Sequence, residues 1–277
     1  MAREVRPTVA AIIVTFKRPE VVLETLAGIL SQSTAPDSVV VVDNDSDDAV
    51  RESIAALLPQ VLYVGSPENA GYGAALALGM QAAQDTYDPD WYWLLDDDTP
   101  PHRDHLQIAL RKRHDKPVPW FISGRGGTIG VKVKHANAST LGARDPHFAL
   151  VDGALVSRTA VDCVGFPRTD LFMMFEDVEY TYRIRQAGGR VVLAPGIVDQ
   201  SRHMGTSSSW RKYYLARNHL RCAIDLRSPR LFIAWLYRMS AQSLYDLRNA
   251  EFSNLLLRWR GALDGLRGHM GVTLPPK

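Results

Sequence analysis

Residues 91–98 read WYWLLDDD, in which a run of bulky, strand-forming side chains leads directly into three aspartates. Aspartate is depleted in strands, and adjacent carboxylates repel one another. Alternate residues of an extended segment point the same way, so Asp96 and Asp98 can share one Mg²⁺ or Mn²⁺ that also takes diphosphate oxygens and water. An acidic surface turn is the alternative, but it fits poorly after so apolar a strand. The stretch predicts a buried strand that ends at a divalent-metal site.

Three other apolar runs precede this strand, at residues 9–16, 38–43 and 61–66. Continuous apolar runs are typical of strands buried on both faces of a mostly parallel sheet. Helical patterns separate them, at residues 47–58, at 72–85 and in a first helix that begins at Pro19. That first helix places one apolar stripe on its inner face: Val22, Leu23, Leu26, Ile29 and Leu30. The alternation predicts a Rossmann-like α/β fold, with a mostly parallel sheet flanked by helices and ligands bound outside the carboxyl ends of the strands.

Polar residues follow each predicted strand, in the segments TFKRPE, DNDSDD, SPENAGYG and DDDTPP. The carboxylate of Asp43 can accept a hydrogen bond from the imide N–H of uracil or thymine, and Arg18 can meet a phosphate or a base. Asn69 and the glycines after it permit close approach of the backbone to a nucleotide. Each segment also has a plain structural interpretation as a turn or helix cap. Together they favour a nucleotide site at one edge of the sheet.

The segments VTFKRP, VVVVDNDS, NAGYG, WLLDDDT and FEDVEYTYRI resemble those of the inverting nucleotide-sugar glycosyltransferases of family 2, which have the GT-A fold. The resemblance covers roughly residues 8–220. The segments DDDT, EDVEY and YYLARN are most similar to the branch of bacterial galactofuranosyl- and rhamnosyltransferases. The resemblance implies transfer of a sugar from a UDP- or dTDP-linked donor to a glycan or lipid-linked acceptor in cell-envelope polysaccharide synthesis. It also implies that the donor contacts Thr15, Arg18, Asp43, Asn69 and Asp97.

A second acidic pair, Glu176 and Asp177, lies between an aromatic-rich run and a helix. The pair can simply start the helix, because acids there favour the dipole and cap the free N–H groups. Helix N-terminal placement would also keep a carboxylate ionised, as a general base must be. The resemblance places the base at Asp177, which would deprotonate an acceptor hydroxyl attacking the anomeric carbon, with Glu176 in a supporting role beside the substrate. Glu179 is interpreted as structural.

Three further site residues follow from the resemblance alone. His203 occupies the position of a third metal ligand, and an imidazole beside carboxylates suits Mn²⁺ somewhat better than Mg²⁺. Arg217 and Asn218 belong to a helix that closes over the active site, where they would contact the diphosphate or the acceptor. The alternatives are a histidine with no metal role and a helix that only packs on the domain.

The C-terminal part of the chain is basic. Residues 202–277 contain 13 Lys and Arg against 4 Asp and Glu, a local charge of +9 in a chain of net charge +2. A helical stripe and nearby arginines are predicted there: Phe252, Leu255, Leu256, Trp259, Leu263 and Leu266, with Arg248, Arg258, Arg260 and Arg267. Such a segment suits a packing helix, a homo-oligomer contact or a membrane-surface anchor. The charge favours anionic lipid, where a lipid-linked acceptor would be met. No nucleic-acid motif accompanies it.

These patterns predict a domain at residues 1–228, with a nucleotide-binding half at about 8–100 and an acceptor half at 101–228. Residues 229–277 form a C-terminal helical extension. Two distant cysteines indicate a reducing compartment without disulfides, and neither a cleavable signal peptide nor a run of about 20 apolar residues is recognised. The expected location is cytoplasmic, peripheral on the inner face of the plasma membrane.

Two other functions remain open on the sequence alone. A nucleotidyltransferase would also use a metal-bound aspartate at a strand end, but it usually carries a glycine-rich phosphate loop near the first strand, and VTFKRPE contains no glycine. A noncatalytic nucleotide-sugar binding module would bind the donor without turnover and would not need Asp177.

Overall fold

The computed structural model of the chain describes residues 6–57, 60–113, 118–141, 145–197 and 208–274. The strands are β1 Val9–Thr15, β2 Ser38–Asp43, β3 Leu62–Gly65, β4 Trp91–Asp96, β5 Trp120–Ser123, β6 Arg125–Ile129, β7 Val133–Asn137, β8 Phe148–Ala149, β9 Ala154–Ser157 and β10 Arg190–Leu193. The helices are α1 Pro19–Leu30, α2 Asp48–Leu57, α3 Tyr72–Tyr87, α4 His105–Leu110, α5 Ala138–Leu141, α6 Arg158–Val164, α7 Glu176–Gln186, α8 Ser209–Asp225, α9 Pro229–Arg248 and α10 Phe252–Arg267.

Seven strands form one sheet in the order β10-β5-β9-β4-β1-β2-β3. The pairs β1–β2, β1–β4, β2–β3 and β5–β10 are parallel, and β9 runs antiparallel to both β4 and β5. A smaller antiparallel sheet has the order β7-β6-β8. The prediction of a mostly parallel α/β fold is confirmed.

The central strand β1 is buried on both faces of the sheet. Val9, Ala11 and Ile13 join a hydrophobic cluster with α1 and α2 on one face. Ala10, Ile12 and Val14 join a cluster with α3, α6 and α7 on the other. Burial on both faces explains why the sequence of this strand is continuously apolar and does not alternate between apolar and polar residues.

Helix α1 begins at Pro19, as its sequence predicts, and buries Val22, Leu26 and Ile29. Leu30, which was expected on the same stripe, is 40% exposed. Thr25 takes a buried place instead, and its hydroxyl donates to the backbone carbonyl of Asp97. The buried face of the helix is therefore not the same as the apolar stripe, because it includes Thr25, whose hydrogen bond is made to the residue after β4.

Helices α9 and α10 pack around α8. A Cβ added at Gly261 or Gly265 of α10 would lie 2.3 Å from the carbonyl oxygen of Tyr213 or 2.5 Å from that of Arg217, so only glycine permits this approach of the two helices. Arg258 of α10 is buried in an ion pair with Asp246 of α9 at 2.7 Å. Within the described ranges, no helix is long and apolar enough to cross a membrane.

Candidate active site

The strand register brings the predicted site residues to one edge of the sheet. Thr15 at the end of β1 is opposite Asp43 at the end of β2, and Asp43 is opposite Gly65 of β3. On the other side, Val14 is opposite Asp96 at the end of β4. Because these strands are parallel and in register, segments distant in sequence end side by side.

Asp43 lies fully buried at the end of β2. Its Oδ2 accepts hydrogen bonds from the Tyr63 hydroxyl at 2.9 Å and from the Asp47 backbone N–H at 2.7 Å. Its Oδ1 has no hydrogen-bond partner among the described residues. Burial raises the pKa of this carboxyl, while the bonds from Tyr63 and Asp47 oppose the rise. One oxygen is thus held in place, and the other is a buried acceptor whose hydrogen bond is not supplied by the described residues.

The loop between β3 and α3 is folded around Asn69. The Asn69 side-chain oxygen accepts from the Asn44 amide at 3.1 Å and from the Gly71 N–H at 3.0 Å. Gly71 has a φ of +94°, and a Cβ there would lie 1.9 Å from the Phe172 carbonyl oxygen, so the position requires glycine. The Tyr72 N–H donates to that same carbonyl at 3.0 Å. Asn69 therefore shapes a loop that touches the segment leading into α7.

The aspartate triplet forms a compact carboxylate cluster, in which one oxygen each from Asp96, Asp97 and Asp98 lie within 4.8 Å of one another. Asp97 is fully buried, and its Oδ2 accepts from the Thr15 hydroxyl at 2.7 Å. Arg18 pairs with Asp97 at 2.7 Å and with Asp98 at 3.0 Å. Thr15 and Arg18, which we expected to contact the donor, thus also anchor the triplet.

Electrostatic repulsion is concentrated at this cluster. Burial raises the pKa of Asp96 to about 8, and repulsion from Asp152, Asp97 and Asp98 adds to the rise. Burial raises the pKa of Asp97 to about 6, although Arg18 and the Thr15 hydroxyl oppose it. Clustered carboxylate oxygens are the ligands that Mg²⁺ and Mn²⁺ take, so the donor set fits a divalent cation.

Two neighbours of the cluster were not singled out by the sequence. Asp152 accepts from the Thr99 hydroxyl at 2.7 Å and from the Asp96 N–H at 3.2 Å. The hydroxyl of Tyr72 is buried without a hydrogen-bond partner among the described residues, and burial together with Asp96, Asp152 and Glu176 raises its pKa. The tyrosine of NAGYG was a visible signal, whereas Asp152 lies in the unremarkable segment VDGA and reaches the site only through the antiparallel strand β9.

Glu176 and Asp177 open helix α7 on the same side of the molecule. The preceding segment is strained, since Phe172, Met174 and Phe175 all have positive φ, at 65°, 71° and 80°. Strain of this kind persists where the surroundings impose it and is common at functional sites. Asp177 Oδ1 accepts from the Val178 N–H at 2.8 Å, whereas Glu176 Oε2 is buried without a partner in the described part of the chain.

The helix start does not keep the pKa of either acid at its ordinary value, and an ionised Asp177 stays a prediction. Burial raises the pKa of Asp177 even though backbone N–H groups oppose it. Burial also raises the pKa of Glu176, and repulsion from Asp177 adds to the rise. Desolvation of two adjacent carboxyls outweighs the favourable helix terminus. Glu179, by contrast, forms the expected structural ion pair, with Arg183 at 2.9 Å.

Arg217 and Asn218 lie fully buried beneath the strained segment. The Asn218 amide donates to the carbonyls of Leu171, Met173 and Met174 at 2.8 to 2.9 Å. Arg217 donates to the Leu171 carbonyl at 2.9 Å and to the Gly271 carbonyl at 2.8 Å. Both side chains therefore support the backbone that presents Glu176 and Asp177, and their direct contact with a substrate stays a prediction. His203 lies outside the described residues.

The match to a family model and the similarity to solved structures agree with this architecture. Residues 10–148 match the model described as glycosyl transferase family 2. The chain belongs to this family, and its fold is the GT-A fold. It is 32% identical over 200 residues to galactofuranosyltransferase GlfT1 of Mycolicibacterium smegmatis and 40% identical over 203 residues to that of Mycobacterium tuberculosis. Each match covers 65% of this chain and 66% of the relative, so the chain spans slightly less than two thirds of the relatives it matches.

Two solved structures share the fold. One is mannosyltransferase PcManGT from Pyrobaculum calidifontis in complex with GDP-Man and Mn²⁺, with a TM-score of 0.64 and 19% identity over 95% of this chain and 88% of that one. The other is GalNAc-T7 with UDP, GalNAc and Mn²⁺, with a TM-score of 0.61 and 13% identity over 80% of this chain and 48% of that one.

Proposed function

We propose that this chain is a metal-dependent, inverting glycosyltransferase that moves a sugar from a UDP- or dTDP-linked donor to a hydroxyl of a glycan or lipid-linked acceptor. The observation that carries the proposal is that Asp43 and the aspartate triplet lie at one edge of the sheet, with Glu176 close enough to Asp96 for the two carboxyls to repel each other. Galactofuranose is the sugar we favour over rhamnose, because both mycobacterial relatives are named galactofuranosyltransferases.

Asp43 is the base-recognition residue of this proposal. Its buried Oδ1 lacks a partner among the described residues, while Tyr63 and Asp47 hold its other oxygen. Uracil and thymine both present an imide N–H that a carboxylate oxygen accepts. The loop around Asn69 and Gly71 would then lie against the nucleotide.

Asp96 and Asp98 would hold the divalent cation, with His203 as the third ligand. When bound, the cation neutralises charge on the leaving diphosphate. Mn²⁺ accompanies the nucleotide in both fold neighbours, which favours it over Mg²⁺. Arg18, paired with Asp97 and Asp98, keeps the triplet together and carries positive charge to the same place.

Asp177 would take the proton from the acceptor hydroxyl as that oxygen attacks the anomeric carbon. Attack from the face opposite the leaving group inverts the anomeric configuration in a single displacement, and no enzyme nucleophile is needed. The segment at 171–175 fixes where the carboxylate lies, since Asn218 and Arg217 hold its carbonyl groups.

Thermal-shift measurements with UDP, dTDP, GDP and CDP in Mn²⁺ test the donor assignment. UDP or dTDP at 100 times its dissociation constant should stabilise the protein by about 2.7 kcal/mol. CDP should stabilise it much less, because cytosine presents a ring-nitrogen acceptor where uracil presents an imide donor. Asp43→Asn should reduce the difference between the stabilisation by UDP and that by CDP, because an amide can both accept and donate a hydrogen bond.

Release of UDP from UDP-galactofuranose in the presence of an acceptor completes this test. CDP bound as tightly as UDP would contradict the role of Asp43. UDP binding without turnover under any acceptor would instead support the noncatalytic binding module.

A membrane surface is the partner we propose for α9 and α10. Apolar side chains on both helices are exposed in the described part of the chain: Phe232, Ile233, Leu236, Leu244, Tyr245, Leu247, Phe252, Leu256, Trp259, Leu263 and Leu266. Arg248, Arg260 and Arg267 are exposed among them, whereas Arg258 is buried with Asp246 and adds no surface charge. Exposed apolar residues beside arginines suit an anionic bilayer surface.

The protein is therefore expected to co-sediment with vesicles of mixed phosphatidylglycerol and phosphatidylcholine at low salt. Leu256→Glu together with Trp259→Glu should abolish this binding, because both side chains are about half exposed or more, at 69% and 49%, and would carry charge to the bilayer. Glu52→Gln on the exposed side of α2 is the control and should bind as the wild type does. Full-length protein that stays in the supernatant at low salt would favour a homo-oligomer contact instead.

A further inference from the structure

A cavity of about 410 Å³ opens beside the acid pair. Glu176 and Asp177 line one side, and His135 of β7, Leu215 of α8 and Arg238 of α9 line others. Its volume lies within the range of small-molecule sites, about 300 to 1,000 Å³. Within the described residues, its lining includes neither Asp43 nor the aspartate triplet. It is therefore distinct from the donor side of the site and shares only the acid pair with it.

Arg238 contributes a guanidinium to the lining of this cavity. In the part of the chain that the structure describes, it forms no ion pair or hydrogen bond, and the nearby guanidinium of Arg258 is occupied by Asp246. Burial lowers the pKa of Arg238, and repulsion from Arg258 adds to the effect. A partly desolvated guanidinium that forms no ion pair is costly unless an anion meets it.

The wall formed by α9 is polar at a second position. Gln242 lies one helical turn after Arg238 and also lines the cavity. His135 lines it from β7, and burial together with Arg238 lowers the pKa of its imidazole, which favours the neutral ring. Across the cavity, Glu176 Oε2 is buried and unpartnered among the described residues. The lining thus combines the acid pair with a cation and an amide that can bind an oxyanion.

We propose that this cavity is the acceptor site and that Arg238, assisted by Gln242, binds a phosphate-type oxyanion on the acceptor whose hydroxyl reaches Asp177. The assignment rests on the proposed role of Asp177 as the base. A guanidinium recognises such oxygens through paired N–H donors, which fixes the orientation of the acceptor as well as adding affinity. Arg238 is therefore a specificity-determining residue that selects acceptors with an anionic group.

The probe is phenyl phosphate, with benzyl alcohol as its uncharged counterpart, titrated by NMR in EDTA so that no metal carries phosphate to the aspartate triplet. The wild type should bind phenyl phosphate more tightly than benzyl alcohol. Arg238→Gln should lower the affinity for phenyl phosphate by about 10- to 100-fold. Benzyl alcohol affinity should not change. Arg230→Gln, an exposed position at the start of the same helix, is the matched control and should keep wild-type affinity.

UDP affinity in Mn²⁺ and the thermal unfolding midpoint check that each variant is folded. Arg238→Met, which keeps the apolar stem, serves if the glutamine variant does not fold, and the same loss is expected. Equal phenyl phosphate affinity in the Arg238 variants and the wild type overturns the proposal, as does an equal loss in Arg230→Gln. Failure of the proposed function is a different observation, namely absent UDP binding or absent turnover in the wild type.

Discussion

Replacing Asp177 with asparagine is expected to lower turnover by about 10²- to 10⁴-fold, the usual contribution of a positioned general base. The amide preserves the size of the side chain and can still accept from the Val178 N–H, so α7 should begin as it does in the wild type. Nucleotide affinity should change little, because Asp177 does not belong to the carboxylate cluster at the end of β4. The measurement is sugar transfer at saturating donor, which separates chemical loss from binding loss.

Glu176→Gln is the matched comparison. It should lower turnover less than Asp177→Asn does, because Glu176 is assigned a supporting role. Near-normal turnover in Asp177→Asn with an inactive Glu176→Gln would assign the base to the other acid. If both variants remain active, the base lies elsewhere and the proposed mechanism, with Asp177 as the general base, is wrong.

The pH profile gives an independent readout of the same carboxylate. A base works when deprotonated, and burial raises the pKa of Asp177 above its ordinary value. The rate at low substrate concentration should therefore rise as the pH increases from acid to neutral. This rise should lie at higher pH than it would for an exposed aspartate. Because Glu176 lies beside Asp177 and its pKa is raised as well, the profile reports the pair rather than one group. Glu176→Gln should turn the profile into that of a single group and change its midpoint little, because burial rather than Glu176 raises the pKa of Asp177.

Asp98→Ala is expected to weaken UDP binding in Mn²⁺ strongly. The addition of EDTA should then have little further effect on UDP affinity. The variant removes one of three clustered oxygens and also frees Arg18 from one of its two partners. Calorimetric titration of UDP with and without chelator measures both effects. Asp85→Ala, on the exposed side of α3, is the control and should retain the wild-type response to EDTA. Binding that is unchanged in Asp98→Ala under both conditions would contradict the metal role.

The residues at strand ends could be predicted because parallel strands in register bring their carboxyl ends together. Four apolar runs and the helices between them were sufficient to place Asp43, Asn69 and Asp96 at one edge. Asp152 could not be predicted in the same way, since β9 enters the sheet antiparallel and no pattern in the chain states which strands it joins.

The roles of Arg217 and Asn218 were also beyond helical periodicity. A helix pattern tells which residues share a face, but not which loop that face will meet. Here the face meets the carbonyl groups of Leu171, Met173 and Met174, which lie in an irregular segment before α7. The raised pKa of Asp177 has a related origin, since the helix start is visible in the sequence and its depth of burial is not.

The C-terminal helix α10 illustrates a third limit. Its apolar stripe was compatible with packing, yet Leu256, Trp259, Leu263 and Leu266 are exposed, and Gly261, Ala262 and Gly265 make the contact. Small residues pack closest because they let two backbones approach, so the largest apolar side chains of a helix need not mark its buried face.

The buried Arg217 has a consequence for the order in which the site is completed during synthesis. Its guanidinium joins the Leu171 carbonyl to the Gly271 carbonyl, and the Tyr214 hydroxyl is bonded by Thr273 and Leu274. A nascent chain that has emerged only as far as α8 already contains every acid of the proposed site, but it lacks these late partners. The segment that carries Glu176 and Asp177 therefore gains its full set of hydrogen-bond partners only after residues 271–274 have left the ribosome.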